Sequence, residues 1–163
     1  MDTITPAVVA DEHERLRARS QTVVPLINAV RAALGAAFDT EVDAVDAADY
    51  RQAIDTAFAD GDRAVNATAL ARLLRGLDVA GDYPGFVVDE FLGRELAAIL
   101  AGDQPLRLLA EATFHYADVA VDDEGATAGG DDLDAALAAG VQTRLPGWNW
   151  RETESPFAVD VGE

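Results

Sequence analysis

The residues best suited to bind a metal lie on one predicted helix in the C-terminal half of the chain. Glu111, His115 and Asp118 follow one another at helical spacing, so all three share one helix face at 100° per residue. Neutral imidazole and carboxylate together suit Zn²⁺ or a related divalent cation. The spacing predicts a divalent metal site, with His13, the only other histidine, as a further ligand. A solvated acidic helix face would produce the same pattern, so both interpretations stay open.

A single acid in an apolar stripe is the second candidate. Glu95 falls between apolar residues such as Phe91 and Ile99 on the predicted fourth helix. A buried carboxylate is costly unless it is paired, so we expect Glu95 to pair with an arginine such as Arg31 or Arg51, to border a groove open to water, or to lie at a dimer interface. A desolvated general acid–base carboxylate is the alternative interpretation.

The chain offers few residues for other catalytic arrangements. The chain has no cysteine and two histidines, which excludes Cys–His catalysis and thiolate metal sites. It contains neither a glycine-rich phosphate loop nor a Gly-x-Ser-x-Gly elbow. We therefore predict no catalytic residue and no organic cofactor, and the divalent metal is the one cofactor that the sequence suggests.

The C-terminal tail carries the strongest signal for protein contact. Trp148, Trp150, Arg151 and Phe157 are of the residue types enriched at binding hot spots, and they follow a predicted flexible segment. Three docking sites for the tail stay open: its own bundle, a second subunit, or the sheet edge of a partner.

These side chains must be positioned by a helical scaffold, because apolar residues recur at helical rather than strand spacing. We predict an all-α, single-domain bundle of about five helices. The predicted helices cover 9–38 (bent or divided at Pro25), 40–59, the segment after the Asp60-Gly61-Asp62 turn, 86–101 and 105–121. The predicted organisation is a helical bundle over 1–121, an acidic Gly-rich flexible loop over 122–132, and a short helix with an aromatic tail over 133–163 that includes a short extended segment at 157–161.

The charge balance indicates where such a bundle would work. The 163 residues include 30 acids and 12 arginines but no lysine, which gives a net charge of −18. Concentrated salt screens this self-repulsion, since the Debye length falls from about 10 Å at 0.1 M to about 3 Å at 1 M. The composition is typical of halophilic cytoplasmic proteins. The N-terminus shows no secretory signal pattern and no apolar run approaches membrane-spanning length, so we expect no membrane association.

Together these observations favour a non-catalytic helical protein that acts through protein–protein contacts, as an adaptor, regulator or subunit, and that self-associates, plausibly as a homodimer. A small metal-binding protein or metal-dependent enzyme is the first alternative. A transcriptional regulator is the second, and it is disfavoured because an acidic surface repels the phosphate backbone of nucleic acids.

Overall fold

Residues 3–77, 88–120 and 128–148 are described by a computed structural model, and they form seven α-helices. The predicted all-α class is confirmed, but the described part of the chain contains more than the predicted five helices. The helices are α1 (Pro6–Ala18), α2 (Ser20–Phe38), α3 (Ala47–Ala59), α4 (Gly61–Gly76), α5 (Val88–Ala101), α6 (Leu106–Ala120) and α7 (Ala128–Gln142).

The first predicted helix is two helices, and the division falls at Arg19 rather than at Pro25. Arg19 departs from helical geometry with ψ near 1°, and its guanidinium reaches across to the carboxylate of Asp134 on α7 at 3.1 and 2.5 Å. Pro25 instead lies inside α2 on its exposed side. The tertiary contact of Arg19 therefore sets the boundary between α1 and α2, which the sequence predicted at Pro25.

Helix α7 occupies the centre of the bundle and packs against α2, α4, α5 and α6. Residues 132–143 are all buried. The loop predicted over 122–132 is therefore wrong for residues 128–132, which are helical, while 122–127 lie outside the described residues. A helix covered on all sides must be narrow, and alanine and glycine make it so. A Cβ on Gly140 would come within 2.7 Å of the Ala97 carbonyl oxygen of α5.

The buried residues of the seven helices form one cluster. Helix α2 contributes a run of large aliphatic side chains to that cluster, including Val23, Ile27, Val30 and Leu34. Among the described residues it is also the one helix long and apolar enough to cross a membrane, a criterion that core helices meet as well. The expected absence of membrane association stays a prediction.

Candidate functional site

The predicted metal ligands are not brought together. His13, on α1, donates a hydrogen bond from Nε2 to the Asp55 carboxylate of α3 at 2.7 Å and stacks on the Phe58 ring with centroids 4.7 Å apart. Arg17 bonds the other oxygen of Asp55, and this bond, followed by that from His13, lowers the pKa of the Asp55 carboxyl. His13 therefore links α1 to α3 instead of approaching α6.

The three α6 residues of the predicted metal site differ in how far they are exposed to solvent. His115 is exposed, whereas Glu111 and Asp118 are half-buried on the flanks of the helix. Within residues 3–77, 88–120 and 128–148, no group of three or more histidine and carboxylate side chains has the arrangement needed to hold a metal ion. The shared helical face was a correct inference of periodicity, but bundle packing tilts the carboxylates toward neighbouring helices.

Asp118 instead belongs to a cluster of three carboxyl groups, together with Asp89 of α5 and Asp132 of α7. Asp132 is buried, and desolvation followed by hydrogen bonding to Asp118 and Asp89 raises its pKa to about 9. At neutral pH its carboxyl holds a proton that the cluster shares through hydrogen bonds. This cluster joins the start of α5, the end of α6 and the start of α7.

The prediction that Glu95 is buried within its own bundle is wrong, since Glu95 is exposed, while its placement at an interface or beside an open groove stays a prediction. The buried face of α5 is formed by small residues and leucines such as Gly93, Leu96, Ala97 and Leu100, which let α7 approach closely. Of the larger side chains in the predicted stripe, Leu96 is buried, whereas Phe91 is 67% exposed.

The fully buried acid is Glu12 of α1, which the sequence did not single out. Arg75 of α4 binds both of its carboxylate oxygens, at 2.9 and 2.5 Å. This contact raises the pKa of the Arg75 guanidinium, chiefly through the hydrogen bonds. Because Arg75 lies 63 residues further along the chain, no local spacing pattern could have revealed the pair.

Trp148 docks on the chain's own bundle. It is 4% exposed, and its indole Nε1 donates to the Gln142 carbonyl oxygen at 3.1 Å. The guanidinium of Arg31 lies 5.3 Å from the Trp148 ring centroid. Arg31 is itself buried and donates to the carbonyl oxygens of Asp43 and Gln142, at 2.8 and 3.0 Å. Arg31 therefore anchors Trp148 and not Glu95. The predicted interaction residues Trp150, Arg151 and Phe157 lie outside the described residues.

One face of the molecule carries no acid. The only charged residue of α2 is Arg31, which is buried, and the fully exposed residues of α6 include no carboxylate. Helices α2 and α6 contact each other, and both pack on α7. We call the outer sides of this helix pair the acid-free face; its exposed members include Pro25, Ala29, Ala32, Ala33, Ala36, Leu108, Ala112, His115, Tyr116 and Val119.

The acid-free face was visible in the sequence as a composition signal. Residues 15–38 form the longest stretch of the chain without Asp or Glu. Leu108 and Val119 of α6 are 62% and 66% exposed, which is unusual for large aliphatic side chains.

The fold and the acid-free face define an all-α protein with a specialised surface and no recognised catalytic arrangement among the described residues. The chain belongs to the family described as Domain of unknown function (DUF7984), whose model matches residues 1–161. No curated protein and no solved structure matches this chain.

Proposed function

We propose that this is a non-catalytic, halophilic helical protein that acts through protein–protein contact, and that its acid-free face binds a second copy of the chain. The absence of acid from this face is the observation that carries the proposal. With 30 acids spread over 163 residues, two neighbouring helices whose exposed residues include no carboxylate call for a physical reason. Exclusion of charge from the centre of an interface supplies one.

Charge decides which partner fits this face. Two copies that each carry −18 would meet carboxylate against carboxylate through most other surfaces. Through the acid-free face they would meet alanine and aliphatic side chains, with acids only at the rim. A single patch that matches itself is the arrangement that a two-fold symmetric dimer requires.

The size and texture of the face also fit a dimer. At 1.5 Å per residue, α2 and α6 are about 28 Å and 22 Å long, and two adjacent helices about 10 Å wide give a flat patch of roughly 500 Å². That footprint lies near the low end of specific interfaces, below the ~800 Å² per partner of a standard one. Exposed alanines on α2, such as Ala29, Ala32 and Ala36, allow helix axes to approach to about 8 Å.

Light scattering in about 2 M KCl tests the proposal, because this salt reduces the Debye length to a few ångströms. The wild-type protein should have twice the chain mass of 17.2 kDa. Val119→Asp and Ala32→Asp each place a carboxylate on the acid-free face, one on α6 and one on α2. Both should weaken dimerisation at least tenfold, since an unpaired charge is desolvated at the contact.

Val65→Asp is the matched control, because Val65 is 45% exposed on α4, outside the acid-free face. It should leave the dimer intact. Self-association is refuted if the wild-type protein has the mass of a monomer at two protein concentrations that differ 100-fold. Monomeric protein that binds vesicles of neutral lipid would instead show that the face contacts a membrane, and would equally overturn the proposal.

A further inference from the structure

A cleft lies where the start of α4, the end of α5, the start of α6 and the residues after α7 meet. Its volume is about 420 Å³, within the range of small-molecule sites. Three of the chain's twelve arginines line it: Arg63, Arg107 and Arg144. Three aspartates line it as well, so the formal charges of the cleft balance, whereas the whole chain carries a net charge of −18.

Two of these arginines are held in place by backbone carbonyls. Arg63 donates from Nε to Ile99 O at 3.0 Å and from Nη2 to Leu100 O at 2.8 Å, and Arg144 donates from Nη1 to Leu100 O at 3.3 Å. These bonds satisfy the C-terminal carbonyls of α5 and fix both guanidinium groups before any ligand arrives. Gly102 follows with φ of 92°, and a Cβ there would lie 3.4 Å from the Arg63 guanidinium.

Hydrogen-bonding capacity remains on the side that faces the cleft. Within the described part of the chain, Nη1 of Arg63 has no hydrogen-bond partner, and the side chain of Arg107 has neither an ion pair nor a hydrogen bond. Arg107 lies in the first turn of α6, at the positive end of the helix dipole. The backbone N–H groups of residues 107–109 are already bonded to Asp103 O, Gln104 Oε1 and Pro105 O, so the Arg107 side chain is the donor that remains there.

Three carboxylates also line the cleft, and they restrict the kind of ligand. Asp60 is already engaged as the N-cap of α4, accepting from Asp62 N at 3.1 Å and Arg63 N at 3.3 Å. Asp62 and Asp103 are exposed at the rim. A ligand that is anionic throughout would be repelled by them, whereas a ligand with one anionic group and several hydroxyl groups would find both acceptors and donors.

We propose that this cleft binds a small hydroxylated metabolite through one oxyanion group, a phosphate or a carboxylate. Arg107 supplies a guanidinium fork that matches such a group with two parallel hydrogen bonds, and Nη1 of Arg63 supplies a further donor. These short-range bonds persist in concentrated salt, where long-range attraction is screened. The proposal is independent of self-association through the acid-free face, because it concerns a different set of side chains and a different measurement.

Titration followed by NMR of ¹⁵N-labelled arginine side chains tests the site at a constant KCl concentration. The probes are inorganic phosphate, acetate, glycerol phosphate and glycerate. We expect saturable shifts of the Nε–H signal of Arg107 and of the Nη–H signals of Arg63, whose Nε–H is bonded to Ile99 O. The hydroxylated probes should bind more tightly than the bare anions. Comparison of the phosphate pair with the carboxylate pair identifies which oxyanion the site prefers.

Arg107→Gln should weaken the binding of the best probe at least tenfold, because it removes a charged two-bond contact. Arg107 supports no other described element through its side chain, so this variant should fold normally. Arg94→Gln is the matched control: Arg94 is exposed on α5, pairs with Glu90 at 2.5 Å, and lies outside the cleft. The proposal is wrong if no probe saturates at millimolar concentration, or if Arg107→Gln binds the best probe as well as the wild type does.

Discussion

At the scale of single residues, buried acidic side chains avoid an unpaired charge in two different ways. Glu12 is paired with Arg75, which binds both of its oxygens, whereas Asp132 meets two further carboxyl groups, Asp89 and Asp118, and holds a proton. An ion pair and a shared proton both avoid an isolated charge inside the bundle. The shared proton at Asp132 has a consequence for pH dependence.

Asp132 should make the protein less stable as pH rises. Its pKa is about 9 in the folded protein and near 3.8 in the unfolded chain. A raised folded-state pKa contributes stability that is fully present below pH 3.8 and is lost progressively as pH approaches 9. Asp132→Asn keeps the size of the side chain and removes its ionisation. We expect it to raise the melting temperature by several degrees at pH 8, at about 2–4 °C per kcal/mol for a chain of this length.

The gain from Asp132→Asn should be larger at pH 8 than at pH 5, because the carboxyl is ionised in the unfolded chain at both pH values and the cost of protonating it on folding grows with pH up to about 9. Thermal unfolding followed by circular dichroism at both pH values measures the difference. Asp11→Asn, which alters an exposed pair with Arg15, is the control and should change stability by less than about 1 kcal/mol at either pH. An equal effect of Asp132→Asn at the two pH values would contradict the assignment.

At the scale of elements, the approach of α7 to α5 decides how the bundle is packed. Gly140 of α7 faces the backbone of α5, and an added Cβ would lie 2.7 Å from Ala97 O and 2.9 Å from Leu100 Cβ. Neither neighbour is the flexible end of a long side chain. The two helices would have to separate to accommodate even one methyl group.

Gly140→Ala should therefore lower the free energy of unfolding by about 1–3 kcal/mol, even though alanine is the better helix former. Gly76→Ala provides the opposite case, because a Cβ at the end of α4 meets nothing within 4 Å. That variant should be neutral or more stable by up to ~1 kcal/mol. Thermal unfolding of both variants in molar KCl measures the contrast, and equal melting temperatures would argue against close α5–α7 packing.

At the scale of the whole molecule, net charge should make stability depend on salt. The −18 charge is spread over most of the exposed surface, and dilute buffer leaves its self-repulsion unscreened. We expect the melting temperature to fall by 10 °C or more when KCl is lowered from about 2 M to 0.1 M. Thermal scans over a KCl series measure this. A melting temperature that is independent of salt would refute the halophilic interpretation.

Part of this molecule follows from its sequence alone. Apolar residues at helical spacing determined the all-α class, and the acid count determined a surface that must tolerate strong negative charge. The burial tendency of tryptophan likewise made docking of Trp148 on the bundle one of the expected outcomes. These properties depend on composition and on neighbours close in the chain.

Tertiary structure decided which side of each helix faces inward. The larger side chains of α5 predicted a core face that included Phe91 and Glu95, but both are exposed because the small side chains of α5 admit α7. The acidic, Gly-rich sequence at the start of α7 predicts a loop. Its aspartates are nevertheless stable inside the bundle, because Arg19 and the carboxyl groups of α5 and α6 bind them. Those partners lie up to 115 residues away in the chain. Helical periodicity gives the width of a helix's apolar face. Which side of the helix faces the core depends on distant residues that only the folded chain brings into contact.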